Sequence, residues 1–196
     1  MPIPNPYHRF AFSTGFTAMP PPKSPFKPSS GKLMTIFTPS DNPTAGPAQF
    51  GVGSLTENPC FRFDFQGISV GCGGQDLVCT VTVTGVQWNG TSNVDAGTKI
   101  WRIPTCGQAE GCGLSDQIID SDAGVGFTNL TAVKITAKVD DKPASFAADD
   151  VQIGWTDTSC EAAVCRSKVR NSIMGWKRPS SPIERVRRVL RSAGQR

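Results

Sequence analysis

Seven cysteines, at Cys60, Cys72, Cys79, Cys106, Cys112, Cys160 and Cys165, are the residues whose chemistry the spacing constrains most. The last six form three close pairs separated by loops rich in Gly, Asp, Glu or Ala. Structural zinc asks for Cys-x-x-Cys knuckles or histidines close by, and the single histidine, His8, is far away in sequence. The spacing therefore predicts oxidised staples, Cys72 with Cys79, Cys106 with Cys112 and Cys160 with Cys165, leaving Cys60 odd. The third pair has an alternative, Cys60 with Cys160, which would tie an early strand to the last. A short-loop bridge stabilises a domain by about 2 to 3 kcal/mol.

Acid–base and nucleophilic chemistry find little to work with. A serine or cysteine nucleophile needs a base, and His8, beside Tyr7, reads as a packing or hydrogen-bonding residue with no nucleophile elbow to serve. No phosphate loop, dinucleotide fingerprint or His-Glu zinc motif is present. Asp64, Glu110, Asp116, Asp149 and Asp150 could supply the two carboxylates of a glycoside hydrolase, but no pattern says which two converge. Asp149 lies in phase with the inward face of a strand, where a carboxylate must find a partner. A structural calcium held by Asp149, Asp150, loop carbonyls and another acidic residue would satisfy it, and so would backbone N–H groups of the preceding turn. Trp88 and Trp101 are the candidate carbohydrate contacts, because an indole stacks on the apolar face of a sugar; packing is the competing use of each. Asn89-Gly-Thr91 and Asn129-Leu-Thr131 are glycosylation sequons.

The elements that must position these residues read as strands. Low leucine content with 20 Gly and 16 Pro in 196 residues suits short strands joined by turns. Phe10, Phe12, Thr14 and Phe16 share one phase of a period-two pattern, ended by Pro20-Pro-Pro22, and a second strand runs through Leu33–Thr38. Phe61, Phe63 and Phe65 face one way and Arg62 and Asp64 the other. Val81 and Val83 are out of phase with Val86 and Trp88, so Gly85 marks a bulge. Thr98–Ile103 forms a further strand. Val133, Ile135, Ala137 and Val139 face inward from a strand that sends Lys134, Thr136 and Lys138 outward. The last strand points Val151, Ile153 and Trp155 inward. About seven such strands predict an all-β, antiparallel β-sandwich with disulfide-stapled loops over residues 1–165.

Charge divides the chain. Residues 1–165 carry ten Lys+Arg against fifteen Asp+Glu, whereas residues 166–196 carry ten against one. The basic tail either stays solvated or forms a short amphipathic helix over 182–192, where Ser181-Pro-Ile-Glu184 is a capping box followed by Val186, Val189 and Leu190 at helical spacing. It could touch an acidic surface. An acidic body and a tail without interleaved aromatics argue against nucleic acid as partner. No apolar run approaches the roughly 20 residues of a transmembrane segment.

Asn5-Pro-Tyr-His8, Phe12-Ser-Thr-Gly-Phe16, Pro20-Pro-Pro22 and Asp149-Asp-Val-Gln-Ile-Gly-Trp155, with a paired-cysteine loop between them, resemble an uncharacterised family of fungal secreted domains, similar in appearance to jelly-roll, galactose-binding-like sandwiches. The resemblance covers about residues 4–165. It implies a structural calcium ligated by the acidic residue before the last strand, here Asp149 and Asp150, together with one from a first strand. The family's Asp-rich opening strand is missing, which implies a truncated N-terminus and accounts for the lack of a signal peptide. The expected function is a non-catalytic extracellular or cell-wall-associated module that binds carbohydrate, against a purely structural or adhesive domain or a carboxylate-dependent glycoside hydrolase.

Overall fold

The computed structural model describes residues 1–19, 25–40, 46–74, 78–106, 111–119 and 126–173, with side chains as far as residue 169. Among the described residues there are eleven strands: β1 (Ala11–Phe12), β2 (Phe16–Met19), β3 (Met34–Phe37), β4 (Ala48–Gly51), β5 (Phe63–Gly73), β6 (Val78–Trp88), β7 (Asn93–Cys106), β8 (Ser115–Ile118), β9 (Ala132–Val139), β10 (Lys142–Pro143) and β11 (Phe146–Trp155). One helix, α1 (Cys160–Ile173), follows. Two compact units result, Met1–Thr158 and a second that begins at Ser159. Pro20–Pro22, Glu110 and the amphipathic helix expected over 182–192 lie outside the described residues.

The strands pair in the order β1-β4-β9-β6-β7-β5-β11-β3-β2, with β10 added to β9 and β8 to β5. Nearly every pairing is antiparallel, as the wet outer faces require. The exception is a two-residue parallel contact of β5 with β7, Cys72 opposite Thr105 and Gly73 opposite Cys106, which joins the two sheets of the sandwich into one mixed sheet. The two ends of this sheet, β1 and β2, are consecutive along the chain and separated by Ser13-Thr14-Gly15 alone. A three-residue link spans about 10 Å at most, so the sheet nearly closes into a barrel. The link is bonded to both sides: Ser13 N donates to Gln49 O at 2.8 Å, Gln49 N to Ser13 Oγ at 2.9 Å and Thr38 N to Gly15 O at 3.2 Å. Gly15 sits at φ 106°, and a Cβ there would stand 2.8 Å from the Phe37 ring, so no other residue fits the corner. The continuous Phe10–Phe16 strand expected from the alternation is therefore two strands at opposite ends of the sheet.

Alternation otherwise sorts inside from outside as expected. Phe63, Val81, Val83 and Val133 are fully buried, with Phe65, Ile135 and Ala137 nearly so, while Thr82, Lys134, Thr136 and Lys138 take the outer face. Aromatic rings dominate the interior: Phe63 meets Phe10 edge-on at 5.0 Å, Phe16 lies 5.1 Å from Phe37, and Phe37 lies 5.5 Å from Phe146. The register of β6 against β7 shifts between Gly85 and Val86, the bulge that the phase change implied. Arg62 and Val151 depart from their phase, as does Thr14, which is exposed in the link between β1 and β2. Arg62, expected outside, is buried; its Nη1 donates to Asn58 O at 3.4 Å, and burial pulls its pKa below the ordinary arginine value by disfavouring the charged form. Val151, expected inside, is exposed, because the pairing of β11 with β5 breaks between Asp149 and Ile153 and Asp150 turns to φ 45°.

Cys72–Cys79 and Cys106–Cys112 are bridged, with Cα separations of 6.1 and 5.9 Å. Cys160 is a free, exposed thiol, and the other two oxidised cysteines are Cys60 and Cys165. The expected Cys160–Cys165 bridge fails because both residues lie on α1: five residues at 1.5 Å rise separate them by about 7.5 Å along the axis, beyond the Cα span a disulfide accepts. Ser159 starts that helix, accepting from Ala162 N at its Oγ (3.2 Å) and from Ala163 N at its carbonyl (3.0 Å). Ser159 followed by Glu161-Ala-Ala is the sequence signal for this helix, which takes both cysteines into one element. Under native, non-reducing conditions a thiol reagent such as dithionitrobenzoate is expected to titrate one equivalent per chain and none in Cys160→Ser. Two or more equivalents in the folded protein would contradict the pairing.

Candidate functional site

Where the sheet fails to close, between its β1 and β2 ends, a cavity of about 480 Å³ opens. Its walls come from both sheets: Phe12 of β1, Phe50 of β4 and Ile135 of β9 on one side, Phe16 of β2, Met34 of β3 and Ala148 of β11 on the other. Phe12 packs edge-on against Phe16 at 5.5 Å and lies 6.1 Å from Phe50, so aromatic rings bridge the seam at its base. Residues 1–10 form the remaining side. Met1 N donates to Ala18 O (3.0 Å) and Ala18 N to Met1 O (2.7 Å), which extends the edge of β2. Asn5 then ties back to Phe12 through both its amide and its carbonyl. Tyr7 and Phe10 exchange backbone hydrogen bonds at 2.9 Å around His8 and Arg9, both at positive φ, as a two-residue hairpin turn demands. The Tyr7 and His8 rings meet edge-on at 4.3 Å.

Two features of the mouth bear on a ligand. Met1, Tyr7, Leu33 and Val151 are all cavity-lining residues and are 76%, 48%, 50% and 42% exposed, so apolar surface continues from the cavity to solvent. Asp149, still paired opposite Ser69, and Asp150, which the β11 bulge takes out of the ladder, are the acidic residues of the wall. Asp149 accepts from Ser30 N at Oδ2 (3.1 Å) and from Asp150 N at Oδ1 (2.9 Å), while Asp150 Oδ1 accepts from Ser30 Oγ. Among the described residues neither carboxylate is paired with a cation. A mostly apolar concavity of this volume with a few convergent polar groups is the usual form of a small-molecule site, and the mouth of a barrel is a usual place for one.

The family model described as a domain of unknown function, DUF7371, matches residues 1–166. The chain belongs to the DUF7371 family. No curated protein matches it. Among solved structures it is similar to a DUF4465 family protein from Bacteroides caccae ATCC 43185, at 14% identity over 72% of this chain and 73% of that one, with a TM-score of 0.48.

In this DUF7371 domain the residues singled out by sequence fall in different places. Asp149 and Asp150 come together at the cavity and are held by Ser30; Asp149 accepts backbone N–H bonds, but from Ser30 and Asp150 rather than from the turn before the strand. No group of three or more His, Cys, Asp or Glu gathers as a metal site among the described residues. Trp101 faces inward from β7 opposite Val81 and is 8% exposed, so its ring faces are covered and it cannot stack on a sugar. Trp88, at the end of β6 beside exposed Asn89, is half-buried. Asp64 Oδ1 accepts from Asn129 N (2.8 Å) and Thr156 Oγ1 (2.5 Å), and Asp116 accepts from Ser69 Oγ (2.5 Å), which gives both a role in holding loops and strands. His8 lines the cavity without a serine or cysteine beside it among the described lining residues. Asn89 and Asn129 are exposed at one end of the domain, where Gln87 Nε2 donates to Thr128 O at 2.7 Å. The cavity itself was missed. Its readable trace was Gly15, which splits the Phe10–Phe16 pattern, and the pair of aspartates after Ala148.

Proposed function

We propose that this DUF7371 domain is a non-catalytic binding module that holds a small, largely apolar ligand in the seam cavity. The observation that carries the reading is the continuity of apolar surface from the buried phenylalanines to the exposed Met1, Tyr7, Leu33 and Val151 at the mouth. Disulfides in short loops fit an oxidising, extracellular setting, where they persist. A carbohydrate or cell-wall glycan is the second reading, supported by Trp88, the half-exposed indole at the end of β6, which could stack on a sugar face. The uncharged fluorophore N-phenyl-1-naphthylamine is expected to brighten on titration and to saturate at one site. Ala18→Trp, which places an indole at the cavity wall, should weaken that binding by about tenfold, the equivalent of roughly 1.4 kcal/mol, with the far-UV circular dichroism unchanged. Absence of saturable binding, or binding indifferent to Ala18→Trp, would sink the apolar-ligand reading. Saturable retention on an insoluble polysaccharide, lost in Trp88→Ala, would put the glycan reading in its place.

A further inference from the structure

We infer that the seam cavity selects a cationic amphiphile, an organic amine whose apolar body fills the cavity and whose ammonium meets Asp150; this rests on the cavity being the binding site. The cavity is the primary observation, and its charge decides the ligand class. Asp149 has both oxygens committed to backbone amides, whereas Asp150 uses one oxygen on Ser30 Oγ and keeps the other. The two adjacent carboxylates outnumber the one ammonium of the lining, that of Met1, which donates to Ala18 O, and so leave the wall negative on balance. An anionic ligand would be repelled there, and a neutral one gains nothing from the exposed Asp150 carboxylate. An ammonium gains a charge-assisted hydrogen bond to the oxygen that is left. Tyr7, 48% exposed at the same mouth, offers a ring face that attracts cations and repels anions.

The backbone supports the same assignment. Asp150 adopts φ 45° within the bulge, a conformation that non-glycine residues enter at a cost and that recurs at ligand sites. Without the bulge, Asp150 would continue the β11 ladder against β5 and would not join Asp149 in this wall.

The test is competition against bound N-phenyl-1-naphthylamine by octylamine, 1-octanol and octanoate at neutral pH and low salt, three probes that share a chain and differ in head group. Octylamine is expected to displace the fluorophore at about tenfold lower concentration than 1-octanol, with octanoate weakest, in keeping with a hydrogen bond to a charged group. Raising the salt should narrow the gap. Asp150→Asn should bring octylamine and 1-octanol together without weakening 1-octanol. If that variant does not fold, Asp150→Gly, which suits a positive φ, replaces it. Equal displacement by the three heads, or octanoate ahead of octylamine, would overturn the cation proposal while leaving the cavity as a binding site. An amine preference that survives the substitution at Asp150 would overturn the role of Asp150. Failure of the fluorophore and all three competitors to bind would instead remove the cavity reading on which the proposal rests.

Discussion

Phe63→Ala is expected to destabilise the domain by about 4 kcal/mol, the usual cost of emptying a phenylalanine site. Phe63 is completely buried on β5. Its ring meets Phe10 at 5.0 Å and Phe50 at 6.3 Å, so one side chain from the middle of the sheet contacts rings from the N-terminal segment and from β4, near the end where the sheet closes. Its backbone exchanges hydrogen bonds with Leu130, 3.1 Å as donor and 2.7 Å as acceptor, and a main chain pinned in this way cannot easily collapse into the space. Aromatic pairs add about 0.5 to 1.5 kcal/mol each beyond burial. For a domain of this size the loss corresponds to a fall of roughly 10 °C in Tm. Thermal and guanidinium unfolding with disulfides intact would measure it, with Phe63→Leu expected to cost much less. A loss near 1 kcal/mol for the alanine variant would mean that the three rings do not pack as described.

Gly85→Ala is expected to cost about 3 kcal/mol although it adds one methyl group. A Cβ at Gly85 would lie 2.2 Å from the carbonyl oxygen of Gly126 and 3.0 Å from Leu130 Cδ2. Gly126 cannot retreat, since a Cβ built on it would already meet Gly97 Cα at 2.5 Å and Ala96 O at 2.7 Å. Three glycines on β6, on β7 and ahead of Phe127 thus let main chain pass main chain at the bulge. Because the obstacle is backbone, the methyl must displace the segment that carries Phe127, whose carbonyl accepts from Phe65 N at 2.9 Å and whose ring is buried. Gly73→Ala is the control: it meets nothing within 4 Å and should change stability by less than about 0.5 kcal/mol. Similar unfolding midpoints for the two variants would refute the close approach.

Local pattern and long-range pairing were unequally legible. The phase of β9, the burial of Phe63 and Phe65, the reset at Gly85 and two bridges followed from periodicity and spacing, because each depends on neighbours a few residues away. The parallel contact of β5 with β7 did not, since period-two alternation says which face a residue occupies and nothing about which strand lies beside it. The same blindness joined β1 to β2. Trp101 and Arg62 show a related limit: an indole can be core or contact, and an arginine in outward phase can still be buried, according to what packs over it. Asp149 was legible from its phase and Asp150 only as its neighbour and through the family resemblance, but their setting on the wall of an apolar cavity depends on residues 1–18 arriving from the other end of the chain.

The placement of β1 and β2 at opposite ends of one sheet has a consequence for solubility. Through them the first nineteen residues cap two strands at once, β4 on one end and β3 on the other, and Met1 in turn pairs with Ala18 on the outer side of β2. If that segment is released, β3 and β4 present unpaired amides and carbonyls together with Phe37 and Phe50, an open template for strands of other molecules. The same nineteen residues that wall the cavity therefore also act as the guard against self-association, so a ligand that holds them in place would keep the protein dispersed.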